Sequence, residues 1–161
     1  MQMVQIDGAE LAVGRAGAGA PVLLIGGTGE PMVAWEMSGV IKALVQSGRE
    51  VVWFAARGVS PSGSPPLPWT VDDLAADGFT VLDALGIAEC TLVGYSLGGF
   101  TAEVMASAQP ERVSGVVLLG SAGRLNTLTR AMIETEVALA EAYGHLPKEH
   151  SRMVTFMTVL S

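Results

Sequence analysis

The feature that most narrows the fold is an alternation of short apolar runs of strand length with stretches of helical spacing. Residues 21–25 and 51–55 are near-continuous apolar runs, the pattern of buried strands, and residues 91–93 and 113–119 read as two further strands. Between them, residues 33–47 carry Val33, Met37, Val40, Ile41, Leu44 and Val45 at helical spacing, with Gly48 as the stop. Thr70, with Asp73 three residues on, predicts the N-cap of a helix that runs through Leu74, Phe79, Val81, Leu82 and Leu85. Residues 97–108 give another helix. Two shorter strands, 3–6 and 10–13, flank Asp7-Gly8, a strong hairpin signal. Strands joined by crossover helices predict an α/β fold with a doubly wound, mostly parallel sheet.

Composition removes several function classes. The net charge of -7, with no cluster of Lys or Arg, opposes a phosphate backbone, so no nucleic-acid partner is expected. Gly, Pro or charge interrupts every apolar run before membrane-spanning length, so no membrane partner is expected. The N-terminus, Met1-Gln2-Met3-Val4-Gln5-Ile6-Asp7, lacks a basic flank and an apolar signal core. One cysteine, Cys90, excludes an internal disulfide and fits a reducing compartment, which makes a cytoplasmic location the expectation. It has no His or basic neighbour and reads as an inert thiol.

The chain's character changes after Gly123. Residues 125–143 read as one long amphipathic helix, and residues 153–160 form an apolar run with nothing after it to cover it. The expected organisation is a core over residues 1–123 and the start of a helical lid over 124–161, in a fold whose remaining strands lie elsewhere.

The chemistry sits in Gly94-Tyr95-Ser96-Leu97-Gly98-Gly99, between a buried strand and a helix. A serine thrust out on a sharp strand-to-helix turn needs a strained positive φ. The residues two before and two after then lie against its backbone, where only very small side chains fit. The following helix presents its positive dipole end to the serine oxygen. In a chain with 20 glycines this spacing alone is weak, and a glycine-rich turn with a capping serine is the bland alternative. The apolar lead-in Leu92-Val93 and the apolar helix beyond Gly99 favour the chemical reading.

From these residues the chain resembles the α/β-hydrolase family over about residues 3–123. Val22-Leu23-Leu24-Ile25-Gly26-Gly27-Thr28-Gly29 resembles the strand and oxyanion loop, with Gly26 where the family usually has His. Ala55-Ala56-Arg57-Gly58-Val59-Ser60-Pro61-Ser62 resembles an Asp-x-Arg-Gly-x-Gly-x-Ser loop, with Ala55 and Ser60 as departures. Leu85-Gly86-Ile87 through Gly99 resembles the lead-in and nucleophile elbow. Pro110-Glu111-Arg112-Val113 and Val116-Val117-Leu118-Leu119 resemble the helix exit and next strand. The resemblance implies Ser96 as nucleophile, Gly94 and Gly98 as elbow glycines, and the backbone N–H groups of Thr28 and Leu97 as oxyanion donors. Gly26 is expected to loosen the oxyanion loop. Gly26-Gly27-Thr28-Gly29 also fits a plain anion-binding turn, although no Lys follows as in a phosphate loop.

A serine nucleophile needs a base held by a carboxylate, and the resemblance implies the chain order Ser, acid, His. His145 and His150 fall beyond the long helix, where the family has its lid, and read as exposed polar residues. Gly120-Ser121-Ala122-Gly123 offers no carboxylate. Asp72, Asp73, Asp77 and Asp83 precede Ser96 and read as a solvated helix face. Trp35, Trp53 and Trp69 read as core or pocket wall, and Met132, Met153 and Met157 as packing. Tyr95 is given no chemistry. The expected function is a serine hydrolase acting through an acyl-enzyme on a small apolar ester, lactone, thioester or C–C substrate. It uses no cofactor or metal, and a C-terminal segment or second chain supplies acid and base. The competing expectation is a non-catalytic α/β module that binds a ligand or another chain.

Overall fold

The computed structural model describes residues 1–121, 123 and 127–144. Its order is β1 (Gln2–Ile6), β2 (Ala9–Gly17), β3 (Ala20–Ile25), α1 (Met32–Ser38), α2 (Val40–Gln46), β4 (Arg49–Phe54), α3 (Val71–Ala84), β5 (Cys90–Tyr95), α4 (Leu97–Ala108), β6 (Val113–Leu119) and α5 (Thr127–Tyr143). The chain divides into two compact units, Met1–Gly123 and Arg124–Ser161.

All six strands form one sheet in the order β1-β2-β4-β3-β5-β6. The hairpin pairs β1 with β2 antiparallel, closing at Ile6 opposite Ala9, and β2 runs antiparallel to β4. The pairs β3–β4, β3–β5 and β5–β6 are parallel. The sheet is therefore mostly parallel, with helices on both faces.

Strand alternation explains how β3 serves both layers. Leu23 and Ile25 join Val52, Phe54, Phe79, Leu82, Leu92 and Met105 in one core. Val22 and Leu24, pointing the other way, join Trp35, Val51 and Val93, with Val40, Ile41, Leu44 and Val45 of α2 packed against them. Leu23, Leu24, Val51, Val52 and Leu92 are fully buried. Each such aliphatic side chain contributes about 1.5–3 kcal/mol relative to exposure.

Two sequence expectations need correction. The helix expected over residues 33–47 is two helices, because Gly39 adopts φ 80 and ends α1 while starting α2. Ser38 Oγ accepts from the Val40 N–H at 3.2 Å and donates to the Trp35 carbonyl at 2.8 Å, fixing the break. The second correction concerns Asp77, described below. Thr70 does cap α3: its Oγ1 accepts from the Asp73 N–H, and the Asp73 carboxylate accepts from the Thr70 N–H at 2.6 Å. The Thr70 N–H, and after it the Thr70 hydroxyl donating to the same carboxylate at 2.8 Å, hold the Asp73 carboxyl below its ordinary pKa. Residues 153–160 lie outside the described residues.

Candidate active site

Ser96 occupies the turn between β5 and α4 with φ 51 and ψ -116, the one non-glycine residue at positive φ among the described residues. The neighbours explain how the turn is held. A Cβ at Gly94 would overlap the Gly98 carbonyl oxygen and lie 2.6 Å from Gly99 Cα. A Cβ at Gly98 would overlap the Ile25 carbonyl oxygen and lie 2.6 Å from that of Gly26. Backbone therefore presses on backbone at both positions, and side chains are excluded. The Ser96 N–H donates to the Leu119 carbonyl at 2.9 Å, and the Gly99 N–H donates to the Ser96 carbonyl at 2.9 Å. Ser96 Oγ has no hydrogen bond among the described residues and stands at the start of α4, where the helix dipole is positive.

The loop after β3 lies beside this turn. A Cβ at Gly27 would sit 3.3 Å from Ser96 Cβ and 3.2 Å from Tyr95 Cδ1. The Tyr95 ring packs between Gly27 and Gly120. The expected looseness of the loop is not found. Glu30 Oε2 accepts from the Gly27 N–H at 2.7 Å, and the Glu30 N–H donates to the Gly27 carbonyl at 3.2 Å. The N–H groups of Thr28 and Leu97 are engaged by no hydrogen bond among the described residues.

Thr28 and Leu97 line one cavity of about 340 Å³, together with Gly26, Gly27 and Gly29. Its apolar wall comes from Ile25, Phe54, Val59, Leu67, Leu74 and Trp69. Ser96 is not among the lining residues, but its neighbours Gly27 and Leu97 are. Trp69 is thus pocket wall, Trp35 is core, and Trp53 is a half-buried side chain against it.

Arg57 also lines the cavity. Its Nε and Nη2 donate to Asp77 Oδ2 and Oδ1 at 2.8 and 2.7 Å, and both residues are buried. The Asp77 hydrogen bonds push the Arg57 pKa above its ordinary value. Asp77 is therefore not on a solvated face: it is buried against Arg57, on the same side of α3 as the buried Leu74 and Val81. The helical spacing carried that signal, since positions 74, 77, 78 and 81 share one face. The Ala55 departure is also accommodated. Ser62 Oγ donates to the Ala55 carbonyl at 2.7 Å and accepts from the Ala12 N–H at 2.9 Å, tying the loop to β2.

Glu30 and Leu67 were not among the sequence candidates; for Glu30 the available signal was a carboxylate three residues beyond a glycine at a strand end. His145 and His150 lie outside the described residues. Among the described residues no group of three or more His, Cys, Asp or Glu could hold a metal ion, and no helix is long and apolar enough to cross a membrane. Cys90 is buried, which pushes its thiol pKa up to about 11.

A family model described as alpha/beta hydrolase fold matches residues 20–155. The chain is 37% identical over 109 residues to the 2-hydroxymuconate semialdehyde hydrolase of Pseudomonas sp. (strain CF600), covering 67% of this chain and 38% of that protein. It is 31% identical over 147 residues to the rhodomycin D methylesterase of Streptomyces peucetius, covering 89% and 48%. Among solved structures, a thermophilic esterase from Thermogutta terrifontis superposes with a TM-score of 0.76 at 26% identity, covering 88% of this chain and 53% of that one. The chain spans about half the length of the curated relatives it matches.

Proposed function

The chain belongs to the α/β-hydrolase fold family, and on that premise we propose that it carries the nucleophile and oxyanion hole of a serine hydrolase. The observation that supports this most is a strained Ser96, whose Oγ has no hydrogen bond among the described residues, beside a cavity lined by Thr28 and Leu97, whose N–H groups are likewise unengaged among them. Serine at φ 51 costs about 1–3 kcal/mol, a strain that a merely structural turn would avoid with glycine.

In this reading Ser96 Oγ attacks an acyl carbonyl as its proton passes to a base. The carbonyl oxygen becomes an anion that accepts from the Thr28 and Leu97 N–H groups. Collapse expels the protonated leaving group, and water hydrolyses the acyl-enzyme by the same route. The base and its carboxylate come from residues outside those described, on this chain or on a C-terminal segment or second chain. Cavities for small molecules run to about 300–1,000 Å³, so one of about 340 Å³ with an apolar wall suits a small apolar acyl group. Some relatives are named for an ester or a semialdehyde substrate. Esters, lactones, thioesters and C–C substrates all fit such a site.

A fluorophosphonate probe, read by intact mass, tests the proposal. The wild-type chain, alone or mixed with the C-terminal portion of an aligned relative, is expected to gain one phosphonyl group, and Ser96→Ala none. No labelling under either condition would overturn the catalytic reading in favour of a ligand-binding module.

A further inference from the structure

The family position usually held by His is Gly26 here, and another side chain has taken its space. A Cβ at Gly26 would lie 3.1 Å from Glu30 Oε2, 3.4 Å from Glu30 Cβ and 3.6 Å from the buried Trp35 Nε1. Glycine is what admits the Glu30 carboxylate to this site. Once there, Glu30 holds the two peptides that flank Gly27: its carboxylate accepts from the Gly27 N–H of the first, and its own N–H donates to the Gly27 carbonyl of the second, so the glycine between them is fixed. The Gly27 carbonyl and the Thr28 N–H belong to the same trans peptide and point in opposite directions. With the preceding peptide held by the Glu30 carboxylate and the Gly27 carbonyl turned inward to the Glu30 N–H, the Thr28 N–H is turned outward, on a residue that lines the cavity.

We propose that Glu30 is a positioning residue that sets the direction of the Thr28 oxyanion donor, in the place of a side chain at position 26; this rests on the serine-hydrolase reading above. The carboxylate works as a hydrogen-bond acceptor, so its charge is not required. Glutamine keeps a carbonyl oxygen at the same reach, and alanine does not.

The test separates the inactivation rate constant from the affinity for a fluorophosphonate, under whichever condition labels the wild-type chain. The transition state alone draws on the donor, so Glu30→Ala is expected to slow inactivation about 10–100-fold while affinity stays within about 3-fold. Glu30→Gln is expected to restore the rate to within about 3-fold of wild type. Gly26→Ala, whose new Cβ crowds the carboxylate, is expected to slow inactivation without altering Glu30, and serves if Glu30→Ala does not fold. Wild-type rates in Glu30→Ala or, should that variant not fold, in Gly26→Ala would overturn the inference. So would equal slowing in Glu30→Ala and Glu30→Gln. An unlabelled wild type overturns the underlying reading instead, and the two failures are thereby distinguished.

Discussion

Replacing Ser96 by glycine should make the protein more stable while removing the proposed nucleophile. The side chain is held at φ 51 and ψ -116, a conformation that costs about 1–3 kcal/mol for a residue with a Cβ. Glycine removes that cost but adds about 0.5–1 kcal/mol of chain entropy to the unfolded state. The net expectation is a gain of about 1 kcal/mol. For a chain of 161 residues this corresponds to a Tm increase of about 2–4 °C. Ser96→Ala is the control, because it keeps the Cβ and its strain and deletes a hydroxyl that has no hydrogen bond among the described residues. Thermal unfolding followed by circular dichroism should place Ser96→Ala within about 0.5 kcal/mol of wild type and Ser96→Gly above both. A Ser96→Gly Tm at or below that of Ser96→Ala would refute the claim that the turn stores strain.

Removing one partner of the buried Arg57–Asp77 pair leaves the other charge stranded, so Asp77→Ala should cost about 3–5 kcal/mol by urea unfolding. The apolar double variant Arg57→Met, Asp77→Leu should recover most of that loss. Gly98→Ala places a methyl group against the Ile25 and Gly26 carbonyls, and should lower stability by about 1–3 kcal/mol and slow phosphonate labelling at least about 10-fold. Cys90 should resist a thiol reagent at pH 8 in the folded chain and react readily in urea, as its burial and raised pKa require. The unfolded thiol, at about 9.0, ionises before the folded one at about 11; the stabilising contribution is therefore intact below pH 9 and falls away between pH 9 and 11, which pH-dependent unfolding would detect.

The elements read best from sequence were those whose local signals agreed. The helix at 97–108 and the strand at 113–119 match α4 and β6 in full, and the Thr70–Asp73 cap starts α3 where expected. Apolar periodicity alone misled at residues 33–47, since it runs unbroken through Gly39 while the backbone there turns left-handed. The spacing around Ser96 located the turn because sterics act between residues adjacent in sequence. The Arg57–Asp77 pair was harder, because its partners are 20 residues apart and an aspartate on a helix usually marks the wet side. Glu30 was hidden for a different reason: its importance depends on the absence of a side chain at Gly26, and an absence carries no pattern of its own.

The contacts around Ser96 also bear on how such a site tolerates change. Its amide is bonded to Leu119 on β6, its turn grows from β5, and Gly98 is pressed against the last carbonyls of β3. Three neighbouring parallel strands thus act as a fixed gauge for one oxygen atom. Loops such as the one carrying Leu67 and Trp69 are not part of that gauge. On the serine-hydrolase reading, they can be lengthened, exchanged or reshaped to admit a different acyl group while the serine keeps its aim, so new specificity would not require the proposed nucleophile to be built again.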